Sequence, residues 1–219
     1  MYTFDDYGDY QVNASYCGLD NVTINNATIS ITKAKTQITA SEVNIIYNID
    51  KDLVITLKDS TCKPLSGASV TVDFNGVKTY ITDANGQVKV TIKGLAPKTY
   101  TAKISFDGNA DYTGASAEVN VIVKKATPKL TAKKKTFRKA KKTKKYTITL
   151  KDNTCRAMKK AKVTLKVKGK TYKATTNSKG KATFKIKNLK KKGKYTAVIT
   201  YKGDKFYNKV TKKVKITIK

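Results

Sequence analysis

Apolar and polar residues alternate along most of the chain with a period of two. Leu53, Ile55 and Leu57 alternate with Val54, Thr56 and Lys58. Val163, Leu165 and Val167 alternate with Lys162, Thr164, Lys166 and Lys168, and Val214, Ile216 and Ile218 with Lys213, Lys215, Thr217 and Lys219. This period, with one face polar, predicts half-buried antiparallel strands. The stretches "FNG" (74–76), "DANG" (83–86) and "NSKG" (177–180) supply turns between the runs. No window carries a helical period. Strands are expected near 36–40, 52–58, 68–75, 77–82, 87–93, 99–106 and 117–124. A second set is expected near 130–136, 145–151, 161–168, 170–175, 181–187, 194–201 and 211–218.

The two sets repeat one unit. "LKDSTC" (Leu57–Cys62) returns as "LKDNTC" (Leu150–Cys155), and "DYQVNASYCG" (9–18) returns as "TYTAKISFDG" (99–108) and "KYTAVITYKG" (194–203). A spacing near 90 residues is too long for a solenoid unit and right for an independent β domain of about seven strands. The expected fold is all-β: tandem immunoglobulin-like β-sandwiches preceded by an orphan β-hairpin. Residues 1–33 read as the last two strands of a truncated preceding repeat. Residues 34–126 read as a near-neutral Ig-like domain and residues 127–219 as a Lys-rich one. Tyr10, Val12, Ala14 and Tyr16 in the first segment alternate as if facing a core. A lone hairpin is marginal in water, so it is expected to pack on a neighbouring domain or another copy of the chain. Tyr100 and Tyr195 open the sixth strand of their units. There a sandwich either ties a Tyr hydroxyl to nearby backbone or simply packs the ring in the core.

Charge divides the chain more sharply than pattern does. From Lys129 onward there are 34 Lys and Arg against Asp152 and Asp204, a net +32, whereas the first 128 residues hold 12 against 13. Such asymmetry points to a polyanionic partner for the last segment. Candidate contacts are Lys162, Lys166 and Lys168 on strand three, Lys185 and Lys187 on strand five, and Lys213 and Lys215 on strand seven. Strand five belongs to one sheet and strands three and seven to the other, so the charge should wrap the domain. Only Arg138 and Arg156 in this segment offer a guanidinium fork, and Tyr195 and Tyr201 fall in the core phase. A reader of specific nucleic-acid sequence is therefore not expected.

Catalytic and metal chemistry find no support in the pattern. The chain has no His to serve as base or zinc ligand, and neither G-x-x-x-x-G-K-[ST] nor G-x-G-x-x-G occurs. Asp107 and Asp111 form the best oxygen cluster, but the matching "KGDKF" loses one acid. Cys17, Cys62 and Cys155 are odd in number and sit at equivalent ends of separate units, so no disulfide within the chain is expected. Every Lys noted on the second and seventh strands, including Lys58, Lys124, Lys145, Lys151, Lys213 and Lys215, falls in the outward phase, which disfavours a Lys–Asn amide crosslink. Asn13, Asn21 and Asn26 each begin an Asn-X-Ser/Thr sequon. They are candidate glycosylation sites on an exported surface, with chance occurrence in an Asn- and Thr-rich stretch as the alternative. No apolar run of 18 residues occurs, so no membrane-inserted helix is expected. The start "MYTFDDYGDY" is not a signal peptide, so a signal, if present, is expected upstream.

"GKYTAVITYKGDKFYNKVTKKVKITIK" and "GASVTVDFNGVKTYITDANGQVKVTI" resemble the Ig-like repeats of adhesin-like surface proteins of methanogenic archaea and, more loosely, bacterial Ig-like repeats of large adhesins. The resemblance spans nearly the whole chain. It implies export, a cell-surface stalk and no catalysis or cofactor, and it assigns no binding residues. Together with the charge it leads to an expected function: a stalk whose basic C-terminal domain holds anionic cell-wall polymer or another polyanion. The alternatives are a basic nucleic-acid- or polyanion-binding protein, or accessory repeats of a larger surface enzyme.

Overall fold

The computed structural model describes residues 7–13 and 26–219, and no helix occurs among them. Cys17, Asn21, Ala14 and Tyr16 lie outside the described residues. The chain opens with a hairpin of β1 (Gly8–Asn13) and β2 (Asn26–Ile31), paired in register from Gly8↔Ile31 to Asn13↔Asn26. Val12 and Ile29 of this hairpin are exposed. The Tyr7 hydroxyl donates to Asp111 Oδ1 at 3.1 Å, and Lys33 Nζ donates to the Asn109 carbonyl at 2.7 Å.

The next eight strands form two sheets. β3 (Thr36–Ala40), β5 (Lys51–Asp59) and β8 (Gln87–Ile92) make a three-stranded sheet in the order β3-β5-β8. β4 (Val43–Ile46), β6 (Ser69–Asp73), β7 (Val77–Ile81), β9 (Thr99–Gly108) and β10 (Thr113–Lys124) make a five-stranded one, ordered β4-β10-β9-β6-β7. Alternate residues of both sheets are buried, among them Leu53, Ile55, Val90, Val72, Ile104 and Val121.

The Lys-rich segment repeats this plan. β11 (Lys129–Thr131), β13 (Lys144–Lys151) and β16 (Lys181–Ile186) pair in the order β11-β13-β16. β12 (Lys135–Phe137), β14 (Lys162–Val167), β15 (Lys170–Thr175), β17 (Gly193–Tyr201) and β18 (Val210–Ile218) pair in the order β12-β18-β17-β14-β15. One core joins the two sheets, with Tyr146, Leu150, Phe184, Leu165, Ile199 and Ile216 all under 5 % exposed. Each such side chain contributes roughly 1.5–3 kcal/mol on burial. This is the immunoglobulin-like sandwich that the alternation predicts.

Two expectations are corrected. The strand expected at 130–136 is not continuous: it breaks after Thr131, whereas β3 lies at 36–40 as expected and is followed by a further strand, β4. In both sets the segment after the break crosses to the other sheet, where β4 and β12 run parallel to the last strands β10 and β18. Val43, Ile45 and Phe137 follow the crossing into the core, so the apolar pattern survives the break and hides it. Second, not every lysine of the second strand is outward. β13 begins at Lys144, one residue earlier than expected, and Lys144 lies in the core phase.

By internal contacts the chain divides into two compact units. One holds the described residues up to Ser41 with residues 53–90 and 101–119; the other holds residues 42–52, 91–100 and 120–219. These bounds differ from the three segments expected from the sequence. Within the second unit the Tyr47 ring stacks on Phe206 with centroids 4.8 Å apart and meets Tyr207 edge-on at 5.5 Å. Asn153 Nδ2 donates to the Tyr47 carbonyl at 2.9 Å. Ala126 exchanges backbone hydrogen bonds with Phe206 and Asn208 at 3.1 and 2.8 Å.

The repeated "LKD(S/N)TC" phrase is turn chemistry. Asp59 Oδ1 accepts from the Thr61 N–H, the Thr61 hydroxyl and the Lys63 N–H at 2.7–3.0 Å. Asp152 Oδ1 does the same for Thr154 and the Arg156 N–H at 2.8–2.9 Å. The turn leaves Cys62 and Cys155 at φ 69° and 66°, a left-handed conformation in which short polar side chains and Gly are the usual occupants. Both thiols are exposed and free. The Tyr alternatives also resolve: the Tyr100 hydroxyl donates to the Ala96 carbonyl at 3.0 Å and the Tyr195 hydroxyl to the Lys191 carbonyl at 2.9 Å. Tyr195→Phe should cost about 1 kcal/mol, read as a lowered calorimetric transition of the full chain. An unchanged transition would reduce this tie to packing.

Candidate polyanion-binding surface

Period two turns the outer face of the five-stranded basic sheet into ordered rows. Register places Lys213 of β18 opposite Val198 of β17, and Val198 opposite Lys166 of β14. Lys166 and Lys213 thus flank one residue across two strand spacings, roughly 10 Å. Lys215 stands opposite Thr196 and its Nζ donates to the Thr196 hydroxyl at 2.9 Å. Lys162 lies at the start of β14. A strip of Thr196, Val198 and Thr200 runs between the two lysine columns. Lys168 is not on the strand as expected. It is the first residue of the two-residue turn Lys168–Gly169, at φ 45° and 74°, and its ammonium lies 6.0 Å from the Tyr195 ring centroid.

The three-stranded basic sheet carries a second lysine face. Lys185 of β16 stands directly opposite Lys145 of β13, and Lys129 of β11 opposite Lys151. Lys187 follows β16, where its N–H donates to the Tyr172 hydroxyl at 3.2 Å. The seven candidate lysines are all exposed, but they do not converge on one site: Lys162, Lys166, Lys168, Lys213 and Lys215 belong to the five-stranded side, and Lys185 and Lys187 to the other. The like-charge pairs cannot be read from the sequence, because register across strands is not written in either strand alone.

Little within the sandwich neutralises this coat. Among the described residues the side-chain ion pair is Lys103–Glu118 at 3.7 Å, outside the basic segment. Asp152 is buried and its Oδ1 is spent on the turn. Burial alone would raise the Asp204 carboxyl. The N–H groups of Phe206 and Tyr207, the Tyr201 hydroxyl and the Lys125 ammonium together hold it below its ordinary value. Its contribution to stability is therefore present above the ordinary carboxylate value and lost as pH falls through the lower folded value. Burial first, and then the bond to Asp204, push the Tyr201 hydroxyl well up. Like charges set opposite one another destabilise a sheet, and screening relieves them. Raising salt should therefore raise the unfolding temperature by roughly 3–6 °C in calorimetry. A flat response would show that the lysines do not repel one another measurably.

A scan of protein-family models and a search of curated proteins match nothing. Among solved structures, two titin fragments share the fold. Titin domains Z1Z2 in complex with telethonin match at TM-score 0.50 and 11% identity, over 86% of this chain and 98% of that one. Titin domains A168–A170 match at 0.50 and 12%, over 85% and 66%. Invasin, a bacterial integrin-binding protein, matches at 0.49 and 17% identity over 84% of this chain. This chain spans 39% of the invasin structure. The titin likenesses define the class of the fold as immunoglobulin-like.

Proposed function

We propose that the chain is a non-enzymatic stalk segment of an exported, adhesin-like surface protein. Its basic sandwich, taken as residues 127–219, holds anionic cell-wall polymer, and residues 34–126 act as a spacer. The observation that carries the reading is a net +32 displayed on both faces of one sandwich, with lysines kept directly opposite lysines. A charge retained against its own repulsion calls for an external counter-charge, and a diffuse coat of Lys suits an extended polymer better than a groove that reads bases. The pinned linker around Ala126 and the Tyr47–Phe206 stack suit a load-bearing stalk. The sequence resemblance to methanogen adhesin repeats favours an archaeal surface.

Co-sedimentation of the full chain with purified cell walls, before and after chemical removal of their anionic polymer, tests the reading. Retention should depend on the polymer. Equal retention on stripped walls would contradict it. In the same reading Asn13, Asn21 and Asn26 are glycosylated, which adds sugar mass to native material. The hairpin with exposed Val12 and Ile29 packs against a second copy or a neighbouring repeat, and a strictly monomeric mass at high concentration would count against the copy.

A further inference from the structure

We infer that Lys139, Lys142, Lys144, Lys187 and Lys190 form a discrete pocket for clustered phosphate oxyanions at the end of the basic sandwich where β13 begins. The five lysines, with Ala140 and Thr143, line one open cavity of about 970 Å³. Lys144 is the anomaly. It is 2 % exposed, it faces inward opposite Ile186, and among the described residues its ammonium makes no hydrogen bond and no ion pair. Its stem is buried while its ammonium opens onto the cavity, so a positive charge is held there with little water around it and no side-chain counter-charge, which is unfavourable. No side-chain carboxylate of the basic segment reaches it. Asp152 follows the far end of β13, roughly 26 Å along the strand, and Asp204 follows the far end of β17, roughly 30 Å along it. An anion entering the cavity can.

Both walls of the cavity are fixed before any ligand arrives. The Lys139 N–H donates to the Lys219 oxygen at 2.6 Å. On the other side the Tyr172 hydroxyl accepts the N–H groups of Lys187 and Asn188 at 3.2 and 3.1 Å, and Asn188 Nδ2 donates to the Val167 carbonyl at 3.0 Å. Five compact ammonium groups ask for high negative charge density. A terminal phosphate supplies about two negative charges near neutral pH where a carboxylate supplies one. The cavity is also larger than a single phosphate needs, so linked phosphates fit it best. This pocket does not depend on the wall-polymer reading, since only Lys187 belongs to both.

Calorimetric titration of the full chain at low ionic strength tests the inference, with tripolyphosphate and short poly(glycerol phosphate) as probes and oligogalacturonate as the carboxylate contrast. Lys144→Met should weaken phosphate binding by about tenfold or more. The triple change Lys159, Lys179 and Lys209→Gln removes three charges from the opposite end and should weaken it by less than about threefold. Lys144→Met should unfold no lower than the parent without ligand, and tripolyphosphate should raise the unfolding temperature of the parent more than that of the variant. Should Lys144→Met fail to fold, Lys142→Ala with Lys190→Ala carries the same expectation from exposed positions. Tight binding of either phosphate probe supports the pocket, and which one binds names the source. A triple variant as weak as Lys144→Met would mean that charge is merely counted, and oligogalacturonate binding as tightly as phosphate would overturn the ligand class.

Discussion

Exchanging Lys162, Lys166, Lys168, Lys185, Lys187, Lys213 and Lys215 for Gln will weaken binding of the full chain to anionic wall polymer by about a hundredfold at low salt, and will flatten the salt dependence of what remains. Each lysine that neutralises a polymer charge releases a counter-ion, so the slope of log affinity against log salt measures how many contacts act together. All seven side chains are exposed, so their loss leaves the core untouched. Changing only Lys162, Lys166, Lys213 and Lys215, the two columns on the five-stranded face, should give about a tenfold loss, because the opposite face still binds. Binding by pull-down at several salt concentrations reads both effects. An unchanged slope in the sevenfold variant would place the contacts elsewhere.

Gly180→Ala should destabilise the basic sandwich by roughly 2–4 kcal/mol. Gly180 ends the turn between β15 and β16 at φ +67°, which a Cβ already disfavours. A Cβ there would meet the Leu150 carbonyl oxygen, a backbone atom in the central strand β13, while the Gly180 carbonyl accepts the Leu150 N–H at 2.8 Å. The turn cannot move away without giving up that bond. Gly86 occupies the same relation to Leu57, with φ +67° and a 2.9 Å bond from the Leu57 N–H, so Gly86→Ala should act alike in the other sandwich. Gly169→Asn is the contrast: open space surrounds that position and Asn tolerates its φ of +74°, so the loss should stay under about 0.5 kcal/mol. Calorimetric transitions of the full chains compare the three. Equal losses would show that the close approach to β13 does not matter.

How much of this could be read beforehand depended on the kind of interaction. The alternation of Leu53, Ile55 and Leu57, or of Val163, Leu165 and Val167, reports local burial, and each run is a strand with those residues inside. The crossings at Ser41–Glu42 and Ala132–Lys134 were invisible because both halves keep an inward apolar residue; only pairing with a strand some 80 residues away separates them. Lys144 was missed for a related reason. A lysine at a strand end looks outward by type, and its inward phase shows only once Ile186 is seen opposite. The seven surface lysines were correctly expected to be exposed and spread over both sheets, but their facing pairs depend on register. The repeated cysteine phrase was recognisable as a repeat; that Asp59 and Asp152 drive it, by closing the turn, needed the hydrogen bonds.

The most direct measurement is a competition. The full chain is bound to anionic wall polymer, and duplex DNA of equal total charge is added at fixed ionic strength. Most of the chain should stay on the polymer. Transfer of most of it to DNA would contradict a polymer-holding stalk and favour a basic nucleic-acid-binding protein.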